Sequence, residues 1–148
     1  MTIASVVLAA GMGTRMKSRT PKMLHKLLGK PLVYYSLSNV VSISSLPPVV
    51  VVGHGSDEVT QVVKNMYGDG VQFALQAEQS GTGHAVMSSE PLLAGKSDLV
   101  LVTFADMPML RKETVSSIIG FHQRTGNTLT MTSVVGEVPR GFGRVIRD

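Results

Sequence analysis

The stretch that decides the fold is TIASVVLAAGMGTRMKSRTPK, residues 2–22. Its first part, Ile3–Leu8, is apolar on both faces, which is typical of a parallel strand covered on both sides. A loop of glycine and small residues follows, and two cations, Arg15 and Lys22, come shortly after it. This order predicts an α/β domain in which backbone amides approach an anion at the carboxyl end of the first strand.

The remainder of the chain repeats the alternation of strand and helix. Further strands are predicted over residues 48–52, 71–75, 98–103 and 128–135, and helices over residues 32–41, 57–66, 83–93 and 112–124. This order predicts a three-layer α/β/α sandwich around a mostly parallel, Rossmann-like sheet. Ligands of such sheets bind beyond the carboxyl ends of the strands, so the loops after residues 8, 52, 75 and 103 are expected to carry the chemistry.

Composition restricts the class of function. A chain of 148 residues, 43% hydrophobic and 16% charged, is suited to a single globular domain. The net charge of +4 favours anionic partners such as nucleotides and sugar phosphates. No basic run with interleaved aromatics indicates nucleic-acid binding, and no apolar run approaches the roughly 18 residues of a membrane helix. Cysteine is absent, which excludes disulfides and thiolate metal sites and fits a cytoplasmic protein.

The loop after the first strand fits neither of two common phosphate-binding motifs. Met16 stands where a Walker A loop needs its second glycine and where a dinucleotide fingerprint needs its third. The planar guanidinium of Arg15 and the compact charge of Lys22 are nevertheless complementary partners for phosphate oxygens. The residues alone leave open a second interpretation, a tight turn beside ordinary surface cations.

The loop after the third strand, QAEQSGTGHA, spans residues 76–85. A uracil edge offers carbonyl acceptors and one imide donor, so it requires an amide side chain and nearby backbone groups. Gln76, Gly81 and Thr82 supply these groups. A polar loop with a capping threonine is the alternative.

Asp106 follows the fourth strand, just before Pro108. A single carboxylate at this position suits Mg²⁺, which keeps several waters and completes its shell with substrate phosphates. The alternative is a turn or helix-capping aspartate.

Five segments together resemble one family. They are LAAGMGTRM at 8–16, PKMLHKLLGKPL at 21–32, QAEQSGTGHA at 76–85, FADMP at 104–108 and GFGR at 141–144. They resemble sugar-1-phosphate nucleotidyltransferases, and within that family they are similar to the uridylyltransferase domains of bacterial bifunctional enzymes. Those enzymes also carry a glucosamine-1-phosphate acetyltransferase domain.

The resemblance implies a role for each matching position. Lys22 would lie nearest the α-phosphate, with Arg15 beside it on the triphosphate. Asp106 would hold Mg²⁺ as the cofactor, and Phe104 and Gly143 would contact the sugar. Leu8, Ala9, Ala10, Gly11 and Gly13 would line the nucleotide, while Gln76, Gly81 and Thr82 would read the base. The sequence departs from the family where Phe104-Ala105 replaces the more usual Tyr-Gly and where Phe142 replaces Tyr.

The implied reaction joins UTP and N-acetylglucosamine 1-phosphate into UDP-N-acetylglucosamine and pyrophosphate, a step in cell-envelope precursor synthesis. Such chemistry depends on positioning and charge neutralisation and needs no protein nucleophile. Two alternatives stay open: a nucleotidyltransferase for another base or acceptor, and a module that binds UTP without turnover.

The resemblance treats residues 1–148 as one partial nucleotidyltransferase domain, incomplete at its C-terminal side. In the family, a second metal ligand, most sugar contacts and the acetyltransferase β-helix follow the position of Asp148. Nucleotide binding is therefore expected of these residues, whereas their turnover alone is expected to be near background. Uncovered apolar surface is expected to favour association into a homo-oligomer.

Overall fold

The computed structural model describes residues 1–11, 13, 16–53, 56–135 and 145–146. Within these ranges four parallel strands form one sheet in the order β5-β4-β1-β6, and two short antiparallel strands form a hairpin. The strands are β1 (Ile3–Leu8), β2 (Lys26–Leu27), β3 (Lys30–Pro31), β4 (Val49–Gly53), β5 (Gln72–Gln76) and β6 (Leu99–Phe104). The first four predicted sheet strands are confirmed to within one residue at each end, and the hairpin was not predicted.

Helices cover both faces of the sheet, which confirms the predicted three-layer sandwich. The helices are α1 (Leu32–Val41), α2 (Asp57–Tyr67), α3 (Thr82–Met87), α4 (Glu90–Leu93) and α5 (Lys112–Thr125). On one face Leu37 of α1 and Val63 of α2 pack with Val7 and Val50 of the sheet. On the other face Ala85 of α3 packs in a separate cluster with Val6 of β1 and Val51 of β4.

The single helix predicted over residues 83–93 is wrong in one respect, because it is divided into α3 and α4. Pro91 lies in the first turn of α4 and has no backbone N–H to donate to the turn before it. In a continuous helix the ring of Pro91 would also clash with the carbonyl of Met87, four residues earlier. The break at Ser88 and Ser89 therefore follows from the position of Pro91.

The fifth strand predicted over residues 128–135 is wrong. The segment contains β-branched residues, but it has no strand conformation and no ladder partner among the described residues. Leu129 is 80% exposed and Val134 is 95% exposed. Strand propensity reflects packing on a paired surface, and this segment lacks such a surface.

The topology places a crevice between β1 and β6. From β1 the chain proceeds outward to β4 and β5, then returns to the opposite side of β1 with β6. In open α/β sheets this change of direction is where ligands bind. The residues that follow β1, β5 and β6 meet there.

No helix in the described part of the chain is long and apolar enough to cross a membrane.

One strip of the sheet is uncovered. Val100, Val102 and Phe104 of β6 are paired with Ala4, Val6 and Leu8, so they lie on the α3 face of the sheet. Each is about two-fifths exposed.

Candidate active site

A cavity of about 280 Å³ lies at the carboxyl ends of the strands. Its volume is close to the lower end of the range for small-molecule sites, about 300–1,000 Å³. It is open to solvent and receives side chains from the loops after β1, β5 and β6. Its lining residues are Leu8, Ala10, Gly11, Gly13, Lys22, Met23, Gln76, Gln79, Gly81, Thr82, Ala85, Phe104 and Asp106.

The loop after β1 passes close beneath the side chain of Lys22. Gly13 has a φ of +62°, and a Cβ atom added there would stand 2.6 Å from the Cβ atom of Lys22. Both the left-handed backbone and the close approach therefore require glycine at this position. Gly13 therefore lies in the cavity wall directly against the Lys22 side chain.

Lys22 is anchored by the residues that follow it. A 3₁₀ turn, Lys22–Leu24, buries Met23 and Leu24 in the core beneath α1 and α2. Because this turn is fixed, the lysine stem emerges at a defined point of the cavity wall. Its ammonium is thus directed by packing and by the carboxylate that it contacts.

The two charged residues of the cavity form an ion pair. The Nζ atom of Lys22 donates to the Oδ2 atom of Asp106 at 2.5 Å, and each side chain is about one-third exposed. Asp106 is held by its neighbour Ala105, which is fully buried and whose N–H donates to the carbonyl of Leu8 at 3.0 Å. The pair connects the phosphate-loop side of the cavity with the end of β6.

The Asp106 carboxylate fits a divalent cation. It already attracts the cationic Nζ atom of Lys22, and its partial exposure allows water to complete a coordination shell. The described residues contain no cluster of three or more His, Asp or Glu side chains that could enclose a metal. A divalent cation bound here would take Asp106 as a ligand and complete its shell with water and phosphate oxygens.

Gln76 is buried in the cavity wall with its amide orientation fixed. Its Nε2 atom donates to the carbonyl of Gly81 at 3.1 Å and lies 3.3 Å from the Nδ1 atom of His84. A backbone carbonyl can only accept, so the nitrogen must face Gly81. The Nδ1 atom of His84 accepts the second amide hydrogen in the tautomer that leaves this atom unprotonated, and no described residue donates to Oε1. Gln76 therefore presents an acceptor.

Gln79 is a cavity residue that the sequence analysis missed. Its Nε2 atom donates to the carbonyl of Ala10 at 2.9 Å, across 69 residues of sequence. It lies in the quoted 76–85 segment, but only the fold shows which loop it reaches. Met23 and Ala85 also line the cavity without having been predicted.

Ten of the predicted site residues line this cavity, including both charged partners, Lys22 and Asp106. Phe104 lines the cavity with a ring that is 43% exposed. Ala9 is different: it is buried in the opposite cluster and its N–H donates to the carbonyl of Val51 at 2.8 Å. Arg15 and Gly143, together with the rest of the 141–144 segment, lie outside the described residues.

Residues 5–142 match the family model described as a MobA-like NTP transferase domain. The chain belongs to the MobA-like NTP transferase family. It is therefore a nucleotidyltransferase domain, and the cavity at the carboxyl ends of its strands is the place to expect a nucleoside triphosphate.

Two curated relatives of this NTP transferase domain, both named bifunctional protein GlmU, match nearly the whole chain. The bifunctional protein GlmU of Thermoanaerobacter pseudethanolicus is 42% identical over 99% of the chain and 31% of the relative. The bifunctional protein GlmU of Enterococcus faecalis is 43% identical over 97% of the chain and 31% of the relative. The chain thus spans about a third of the length of these proteins.

Solved structures support the fold of the NTP transferase domain. Rv0371c from Mycobacterium tuberculosis H37Rv superposes with a TM-score of 0.68 at 20% identity, over 83% of this chain and 61% of that protein. A manganese complex of Rv0371c superposes with a TM-score of 0.65 at 19% identity, over 84% and 61%. At this identity the likeness concerns the fold.

Proposed function

We propose that this NTP transferase domain transfers uridylyl groups from UTP to N-acetylglucosamine 1-phosphate, with release of pyrophosphate. The observation that carries the base assignment is the amide of Gln76, whose nitrogen is used internally and whose oxygen remains as an acceptor. The sugar assignment rests on the similarity to the GlmU proteins over almost all of the chain.

The Gln76 amide distinguishes uracil from cytosine. The N3 position of uracil carries a hydrogen and donates, so it can pair with the Oε1 atom of Gln76. The N3 position of cytosine is an acceptor and would face another acceptor, and a buried polar group left unpaired costs about 1–3 kcal/mol. Backbone amides of Gly81 and Thr82, on the same wall, are the proposed donors to the uracil carbonyls.

Lys22 is the proposed partner of the α-phosphate, and Arg15 is proposed to contact the triphosphate. Attack by the sugar phosphate increases negative charge on the oxygens around the α-phosphorus. An ammonium held in a cavity wall stabilises that charge without reorganisation of solvent. Phe104 and Gly143 are proposed to contact the sugar, and Leu8, Ala10, Gly11 and Gly13 to line the nucleotide.

We further propose Mg²⁺ as the divalent cofactor, with Asp106 as its ligand. A bound divalent ion supplies Lewis-acid polarisation and charge neutralisation on phosphate oxygens. In this chain the Lys22 ammonium contacts the Oδ2 atom of Asp106, so the Oδ1 atom is left for the cation, and a triphosphate would offer the ammonium a further partner.

The proposal extends to the cellular role. Synthesis of a nucleotide sugar for cell-envelope precursors, in the cytoplasm, is the process that such a reaction serves. Association of the protein into a homo-oligomer is also part of this proposal, and the uncovered strip of Val100, Val102 and Phe104 supports it.

Calorimetric titration of the chain with UTP and CTP in the presence of Mg²⁺ tests the base assignment. UTP is expected to bind at least about tenfold more tightly, which corresponds to about 1.4 kcal/mol. Gln76→Ala should abolish this preference, whereas Gln61→Ala, on the exposed side of α2, should retain it. Equal affinities in the wild-type protein would refute the uridylyl assignment.

The acceptor is tested separately. Pyrophosphate release from UTP is measured with N-acetylglucosamine 1-phosphate and with glucose 1-phosphate. Stimulation by the N-acetylated sugar phosphate alone is expected wherever turnover is detected. Equal stimulation by both sugars would contradict the acceptor assignment.

A further inference from the structure

We propose that Gln79 is a positioning residue: it holds the loop after β1 in place through the Ala10 carbonyl and so pre-organises the anion-binding loop. The proposal rests on the proposed nucleotide site but assigns a residue that neither the sequence pattern nor the comparisons identify. Gln79 would connect the loop that reads the base with the loop that receives the phosphates.

The contact has the geometry of a full hydrogen bond. The Nε2 atom of Gln79 lies 2.9 Å from the carbonyl oxygen of Ala10, in the range that backbone and amide groups prefer. Ala10 sits between β1 and the glycines of the loop. Its neighbour Ala9 is already fixed to β4, because the Ala9 N–H donates to the carbonyl of Val51 at 2.8 Å. Gln79 therefore holds the next peptide, where the sheet no longer does.

Gly53 provides an independent observation at the same point. It is the last residue of β4 and is buried. A Cβ atom added to it would lie 3.0 Å from the Ala10 carbonyl oxygen and 3.5 Å from the Gln79 Nε2 atom. This distance is shorter than ordinary contacts to a Cβ atom, so a side chain at residue 53 would press on the atom that Gln79 holds. The end of β4 thus leaves space for the contact between Gln79 and Ala10.

Although Gln79 is exposed, its position allows it to affect the loop after β1. Its side chain crosses the cavity wall between the 76–85 segment and the loop after β1. Loss of the amide leaves the Ala10 peptide without this partner and allows the following glycines to move. Gly11 and Gly13 have wide backbone freedom, so their amides would lose a fixed arrangement before an anion binds. Binding would then include the cost of ordering the loop.

Two ligands and a ligand-free measurement test the proposal. Gln79→Ala and Gln79→Met remove the donor, the second at nearly constant size and without adding a charge. Each should weaken binding of inorganic tripolyphosphate and of Mg²⁺-UTP by the same factor, about fivefold, the loss typical of one hydrogen bond. The ratio of UTP to CTP affinity should not change. Glu78→Gln and Ser80→Ala, at neighbouring exposed positions, should have no effect.

Hydrogen exchange supplies a measurement that requires no ligand. The amides of Gly11 and Gly13 should exchange faster in Gln79→Ala than in the wild-type chain, while amides of β1 should not change. Gly53→Ala should give the same pattern, and the double variant should be little worse than either single one, because both act on one carbonyl. Additive effects would contradict a shared target.

The outcomes separate the proposal from its rivals. Weaker UTP binding with unchanged tripolyphosphate binding would show that Gln79 contacts the nucleoside directly and would overturn the positioning role. Unchanged exchange at Gly11 and Gly13 would overturn it also. If the wild-type chain binds tripolyphosphate without preferring UTP, the uridylyl assignment fails, and the Gln79 variants still decide the role of the residue.

Discussion

Replacement of Asp106 by Asn isolates the metal-binding role that we propose for this residue. The change keeps the size of the side chain and removes its charge at the end of β6. A hard divalent cation prefers carboxylate oxygen to a neutral amide. A turn or capping role would survive, because Asn serves in those positions as well as Asp does. The variant therefore discriminates between metal ligand and structural residue.

The contact between Asp106 and Lys22 sets the expected cost to stability. At 2.5 Å the charges attract strongly, but both side chains are about one-third exposed, and solvent reduces the net contribution of such pairs to about 1 kcal/mol or less. The Asn oxygen can still accept from Lys22. We expect the free energy of unfolding to fall by at most about 1 kcal/mol, and Tm by about 2–4 °C.

The effect on the linkage between Mg²⁺ and UTP binding should be at least as large. In the wild-type chain Mg²⁺ is expected to raise UTP affinity at least about tenfold, or about 1.4 kcal/mol. In Asp106→Asn the gain should fall below about twofold, a difference of about 1 kcal/mol. Calorimetric titration of UTP with and without Mg²⁺ measures both values, and thermal unfolding reports the stability.

Asp98→Asn is the matched control, since Asp98 precedes the opposite, amino end of β6. Its Oδ2 atom accepts a hydrogen bond from the N–H of Thr2 at 2.6 Å. This contact is separated from the cavity by the length of β6. This variant should keep full dependence on Mg²⁺. If Asp106→Asn also kept it, or if both variants lost it equally, the assignment of Asp106 as the metal ligand would be refuted.

Two further predictions concern positions that packing defines. Gly13→Ala should weaken Mg²⁺-UTP binding at least about tenfold and lower the free energy of unfolding by about 1 kcal/mol or more, because a methyl group would meet Lys22 at a positive φ. Calorimetric titration measures the affinity and urea unfolding measures the stability. Unchanged affinity would contradict the loop geometry. Thr103→Val should raise the free energy of unfolding by about 1 kcal/mol, since the buried Thr103 hydroxyl has no hydrogen-bond partner among the described residues. Urea unfolding measures this change. A lower free energy of unfolding in the variant would show that the hydroxyl has a partner.

The sequence determined the strands of the sheet because their signal is local. The run Val49–Gly53 is apolar on every position, and a strand with no polar face must be covered on both sides. The helices follow from their periodicity, and the break before α4 was also present in the sequence as Pro91. The residue types of the site, a glycine loop with Lys22, an amide at Gln76 and a carboxylate at Asp106, were likewise apparent.

Only the tertiary structure decided which of these residues contact one another and which apolar segments pair with a neighbouring strand. Residues 128–135 have strand propensity, but a strand exists only where a neighbour accepts and donates its hydrogen bonds, and propensity does not encode that neighbour. The contact of Lys22 with Asp106 joins positions 84 residues apart, and that of Gln79 with Ala10 joins positions 69 apart. Such pairs arise because the parallel sheet brings the carboxyl ends of β1, β5 and β6 to one edge, a consequence of chain topology and not of local sequence.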